Sequence, residues 1–219
     1  MKKIVSFSII SILSVIVLLL VFLSTTGIET KRFNNLITTK IKESNGDINL
    51  ILKTINFKLD LREISLFLEA KNPIINFKEI NLPTNNIKAY INFISLLKSE
   101  NKFEKISLNF DQISFKKIKM IAPMLKLSNF SSFLNNKLVE GKLNTQVEFY
   151  FNKKNEIENF KTKGSIIEGK INFEKEINFE DMNFKFFADK TDILIKNFRS
   201  NFGPIIIENG DAKIQVSPE

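Results

Sequence analysis

For most of its length the chain alternates apolar and polar residues with a period of two, which restricts it to strands with one oily and one wet face. Ile55, Phe57, Leu59 and Leu61 alternate with Asn56, Lys58, Asp60 and Arg62; the phase then changes, so that Ile64, Leu66 and Leu68 carry the apolar side. A two-residue repeat cannot change phase without an extra residue, which places a turn or bulge at Arg62 and Glu63. The pattern returns at Ile87, Ala89, Ile91 and Phe93, at Ile106, Leu108 and Phe110, and at Leu143, Thr145, Val147, Phe149 and Phe151. It continues in Ile171 with Phe173 and in Phe184 with Phe186. About a dozen strands are expected, with no Gly-, Ser- or Pro-rich linker to divide them. The expected fold class is mainly β: an elongated, mostly antiparallel sheet curled into a groove, with a few short helices.

Three stretches break the period. Residues 28–43 place Phe33, Leu36, Ile37 and Ile41 at helical spacing, predicting a short helix packed on the domain that follows. Residues 94–98 (ISLLK) and 118–138 also read as helical, the latter interrupted by Pro123 and resuming with Leu127, Phe130, Phe133 and Leu134. Ser128 or Asn129 is the candidate cap of that second part.

Residues 4–23, with Ile4, Leu13 and Leu23 at the start, middle and end, hold sixteen Ile, Leu, Val or Phe, four Ser and no charge. A helix of that length is about 30 Å long, enough to cross a bilayer once. It is longer than the apolar region of a signal peptide and lacks an Ala-x-Ala cleavage site, so an uncleaved anchor is expected. Lys2 and Lys3 keep the N-terminus cytoplasmic by the positive-inside rule. The resulting division is a stub at 1–3, an anchor at 4–24 and one extramembrane domain at 25–219.

The chain has no Cys, His or Trp. That removes thiol nucleophiles, the usual zinc sites, haem ligation and Ser-His-Asp relays, and no cofactor is expected. Carboxylates sit close in sequence at Glu156 with Glu158, Glu180 with Asp181, and Asp189 with Asp192, all next to turn-like or wet positions, where solvation explains them. The net charge of +8 comes from 29 Lys and only 3 Arg, interspersed with Glu and without Arg-aromatic clusters, so no nucleic-acid partner is expected.

The order of these features carries a resemblance: a single span, a short helix, the 55–61 and 64–68 strand pair, then Asn72-Pro73, Leu82-Pro83, Ile87-Lys88-Ala89, and FISLLK at 93–98 before the Ile106 and Leu108 strand. With the later GSIIEGKINF, MNFKFF, ILIKNF and IIIENGDAKI segments, it resembles the amino-terminal region of the AsmA-like proteins. The resemblance implies a bacterial inner-membrane protein with its bulk in the periplasm, of the repeating β-groove class that carries phospholipid toward the outer membrane. Its groove wall would be Ile55, Phe57, Leu59, Ile64, Leu66, Leu68, Ile91, Phe93, Ile106, Leu108, Phe110, Val147, Phe149 and Phe151, contacting acyl chains. Such a conduit needs no catalytic residue, and a non-enzyme is expected. Family members are longer, and the strand pattern still runs at residues 211–219 (DAKIQVSPE), which fits a shortened chain, a short paralogue or one section of an assembly. The competing reading fills the same strands with a dry core and makes the protein a membrane-anchored scaffold or assembly factor that recruits envelope proteins at a sheet edge.

Overall fold

The structure is a computed structural model that describes residues 2–31, 34–44, 46–63, 65–91, 103–124, 129–152, 154, 156–174 and 177–215. Helix α1 (Lys2–Thr25) contains the expected apolar span, and Phe7–Thr25 is long and apolar enough to cross a membrane, with none of its residues buried. It ends where the N–H groups of Thr26 and Gly27 both donate to Phe22 O, at 3.0 and 2.9 Å. Gly27 holds the left-handed φ of 74°, and a Cβ there would lie 2.6 Å from the Phe57 carbonyl oxygen. Both the turn and the close approach require glycine. Strand β1 (Ile28–Thr30) follows at once and pairs with β3 (Ile55–Asp60), so only Thr26 and Gly27 separate the apolar helix from the sheet.

Helix α2 (Asn34–Ser44) is therefore shorter than expected from residues 28–43: its predicted first turn is the edge strand β1, where Ile28 and Thr30 face Phe57 and Ile55. After it come β2 (Ile48–Ile51), β3, β4 (Ser65–Lys71), β5 (Ile74–Phe77), β6 (Ile80–Leu82), β7 (Thr84–Ile91) and β8 (Phe103–Ser114). Helix α3 (Phe115–Ile121), a 3-10 turn (Ala122–Met124) and α4 (Asn129–Lys137) interrupt the strands, which resume as β9 (Leu138–Phe151), β10 (Ile157–Glu174), β11 (Ile177–Asp189), β12 (Asp192–Phe202) and β13 (Ile205–Gln215). The helical break falls at Pro123 as expected, but α3 starts earlier, at a cap where Ser114 Oγ accepts the Lys117 N–H. The expected helix at 94–98 and the Ser128 cap lie outside the described residues.

The main sheet is open and antiparallel, with ten strands in the order β1-β3-β4-β7-β8-β9-β10-β11-β12-β13. The predicted hairpin between β3 and β4 is present, its turn held by Asp60 Oδ1, which accepts the N–H groups of Arg62 at 2.9 Å and Glu63 at 3.3 Å. A separate sheet of three strands, β2-β5-β6, forms a partial second layer. Together with α2 it buries one end of the main sheet: Ile37, Leu50 and Ile75 pack with Ile55, Leu68, Ala70, Ile87, Ala89 and Ile91. A smaller core joins Phe115 and Leu138 to Ile171 and Met182, with Ile118, Phe133 and Leu134 of α3 and α4 laid against it.

A seam of irregularities crosses the long strands. Gln112, Glu168, Asp181 and Asn197 have φ near +50°, and each lies at a register shift on β8, β10, β11 or β12. A left-handed non-glycine residue costs about 1–2 kcal/mol, and here neighbouring side chains compensate. Asn144 Oδ1 accepts the Gln112 N–H at 2.7 Å, Asn183 Oδ1 accepts that of Glu168 at 3.2 Å, and Asp211 Oδ1 accepts that of Asn197 at 3.0 Å. At the remaining site Asn201 Nδ2 donates to Asp181 Oδ2 at 2.9 Å. Bulges on β8 and on the three neighbouring strands β10, β11 and β12 each bend their strand, which is the physical source of curvature in such a sheet.

Candidate functional site: the oily face of the sheet

Cross-strand partners point to the same side of a sheet, so the registers sort every strand residue onto one of two faces. One row, Thr30, Ile55, Ala70, Ile87, Leu108, Val147, Thr162, Ala188, Ile193 and Ile214, crosses all ten strands. Beside it run Phe57, Leu68, Ala89, Ile106, Phe149 and Phe160 on one flank, and Phe110, Thr145, Gly164, Phe186 and Ile195 on the other. This face is almost free of charge. Gly164 lies opposite Phe186, whose ring occupies the space a Cβ would fill.

The other face is built from charge. Glu69, Lys88, Ser107, Glu148, Lys161 and Asp189 follow one another across adjacent strands, so the signs largely alternate. Lys58 Nζ meets Glu69 Oε2 at 2.8 Å with both side chains about nine-tenths covered. Lys105 Nζ reaches both Glu63 carboxylate oxygens at 2.8 Å while lying 4.1 Å above the Tyr90 ring. Tyr150 donates to Glu148, and burial followed by that hydrogen bond pushes its phenol up to about 12. Removing one partner of the Lys58 pair strands a buried charge, so Glu69→Ala is expected to cost about 3–5 kcal/mol. Lys58→Met with Glu69→Leu restores most of it, and urea unfolding followed by circular dichroism compares the two. A shallow depression of about 240 Å³ on this charged side has Phe187 and Leu194 in its lining and Gln146, Glu148, Lys161, Lys163 and Asp189 around them. A tail entering it would have to desolvate charges of both signs.

The expected wall residues divide into two groups. Ile55, Leu68 and Ile91 are 0%, 1% and 5% exposed inside the core under α2 and the small sheet, and Phe57, Ile106, Leu108 and Phe110 pack against that core. Leu59 and Leu66 are half-buried partners between β3 and β4. Val147, Phe149 and Phe151 lie on β9 beyond the second layer and stay half-exposed. Ile64 and Phe93 fall outside the described residues. Of the anchor positions, Leu13 and Leu23 lie on α1, as does the backbone of Ile4. The oily wall continues past the expected set through Phe160, Phe184, Phe186, Ile193 and Ile195, all half-exposed. None of these five, nor Val147 or Phe149, belongs to either core. The same alternation marks them in sequence, most plainly at Phe184 and Phe186.

The carboxylates serve wet turns and surface ion pairs. Asp189 accepts the N–H groups of Thr191 and Asp192 and the Thr191 hydroxyl, which holds its carboxyl below the usual range. Glu180 pairs with Lys170 at 2.6 Å, and Asp192 with Lys213 at 3.3 Å. Among the described residues no group of three or more acidic side chains could hold a metal ion. No protein-family model matches the chain, and no curated protein or solved structure matches it either.

Proposed function

We propose that the open stretch of the oily face, from β9 to β13, receives phospholipid acyl chains, and that the protein is an AsmA-like, non-enzymatic lipid-handling factor. In this reading α1 anchors it in the bacterial inner membrane with the N-terminus cytoplasmic and the sheet in the periplasm. The observation that carries the reading is the patch of Val147, Phe149, Phe160, Phe186, Ile193 and Ile195, which lie in three adjacent rows on one side of the sheet, half-exposed and left out of both cores.

An acyl chain loses about 0.8 kcal/mol per CH₂ when it leaves hydrocarbon for water, so two chains of ordinary length do not cross water unaided. A strip of Phe, Ile and Val side chains covers one side of the tails while the headgroup stays hydrated at the rim. Neighbouring strands are about 4.8 Å apart, which makes the ten-strand sheet roughly 43 Å wide and the β9 to β13 stretch about 19 Å. That length suits holding or handing over a lipid near the anchoring membrane.

Native mass spectrometry of gently extracted protein is expected to find phospholipid bound in near-stoichiometric amount. Protein free of lipid under extraction that preserves the fold would sink the reading. A second reading has its own support: the half of the sheet under α2 and β2-β5-β6 is a dry core, as a scaffold or assembly factor would have. In-cell crosslinking that captures envelope proteins and never lipid favours it.

A further inference from the structure

The charge of the chain is segregated in a way its composition conceals. Residues 112–139 contain five Lys and no Asp or Glu, and Lys2 and Lys3 carry two more positive charges. Those seven account for all but one of the net +8, leaving the rest of the chain almost neutral. Four of the five, Lys116, Lys117, Lys119 and Lys137, lie on α3 and α4, which cap one flank of the oily face.

The orientation of α3 is fixed. Phe115 is 1% exposed in the core against the sheet, and Lys117 Nζ donates to Asn81 O of β6 at 2.9 Å, tying the helix to the small sheet. The outward side then presents Lys116, one turn before Met120, with Met124 beyond; the two methionines are 50% and 39% exposed. Exposed apolar side chains set among lysines, with no acid in 28 residues, form a surface complementary to lipid headgroups and the acyl layer just below them. A nucleic acid would match the charge but leave both methionines in water.

We infer that this unit is a second membrane contact: it docks on an anionic bilayer surface, with Met120 and Met124 entering the headgroup region and Lys116 and Lys119 pairing with anionic lipid. The contact holds whether or not the oily face carries lipid, because it uses the outer side of the helices. Each lysine near a negatively charged leaflet contributes about a fivefold gain in affinity, so losing two weakens docking about twenty-five-fold.

The chain has no Cys, so Met120→Cys gives one labelling site in the full-length protein. With a polarity-sensitive dye at that position, vesicles of phosphatidylcholine containing about a third phosphatidylglycerol should shift the emission to the blue and shield the dye from an aqueous quencher. Pure phosphatidylcholine should do neither, about 1 M salt should reverse the effect, and Lys116→Gln with Lys119→Gln should move it to about twenty-five-fold higher lipid concentration while leaving thermal unfolding unchanged. A dye at Asn209→Cys on β13 should not respond. Identical spectra in both lipid mixtures, a shift in pure phosphatidylcholine, or an equal shift at position 209 would each overturn the inference. So would a response to a single-stranded oligonucleotide with none to vesicles.

Discussion

Ile91→Lys is expected to leave little folded protein. The side chain is 5% exposed, faces Leu66 on one neighbouring strand and Phe103 on the other, and belongs to the core with Ile37, Leu50 and Ile75. A lysine there either buries an unpaired ammonium or forces the second layer away from the sheet, at several kcal/mol in each case. A domain of this size has about 5–15 kcal/mol in total, so the loss is a large part of its stability. Limited proteolysis and circular dichroism of the detergent-solubilised variant measure it. A cooperative unfolding transition at the wild-type midpoint would show that the α2 and β2-β5-β6 layer does not seal this region.

Phe149→Asp should behave in the opposite way. Phe149 is on the same face as Ile91 but lies past the covering layer, half-exposed between Ile106 and Phe160. A carboxylate there remains hydrated, and the stability lost is the part of the ring already covered, about 1 kcal/mol. Bound lipid, however, should fall to background, because tails would have to pass an ionised group in the middle of the strip. Comparing lipid content of this variant with one of equal stability loss on the charged face, such as Tyr150→Ala, separates the groove from the fold. If both retain lipid, the strip is not where tails lie.

The contrast between these two substitutions also shows how far the sequence could be read. Period two put Ile91 and Phe149 on an oily face, and the registers place them there. The alternation does not say what lies over each. That depended on β2, β5 and β6, strands of three or four residues such as INLI and INL, too short for a repeat to stand out and able to join either sheet. Strand β1 was hidden for the same reason: three residues cannot show a period, and their pairing with β3 follows from how α1 ends at Gly27. The bulge residues Glu168, Asp181 and Asn197 are polar residues within strands, and only the shifts in pairing show that each is an insertion. The apolar N-terminal helix and the 55–60 and 65–71 hairpin were legible because each rests on a long local signal.

The irregularities on β8, β10, β11 and β12 have a further effect, on alignment. Where an extra residue on one strand is answered by Asn144, Asn183 or Asp211 on the next, the two chains are keyed together like adjoining planks, and sliding by one position would break the key. In a meander whose strands are long and monotonous in Ile, Phe, Lys and Asn, many misaligned hairpins keep the same number of backbone hydrogen bonds, and a slip by one residue turns the greasy side chains to the other face. Unremarkable amides and a carboxylate on the wet side thus decide which way the hydrophobic side of every long strand looks.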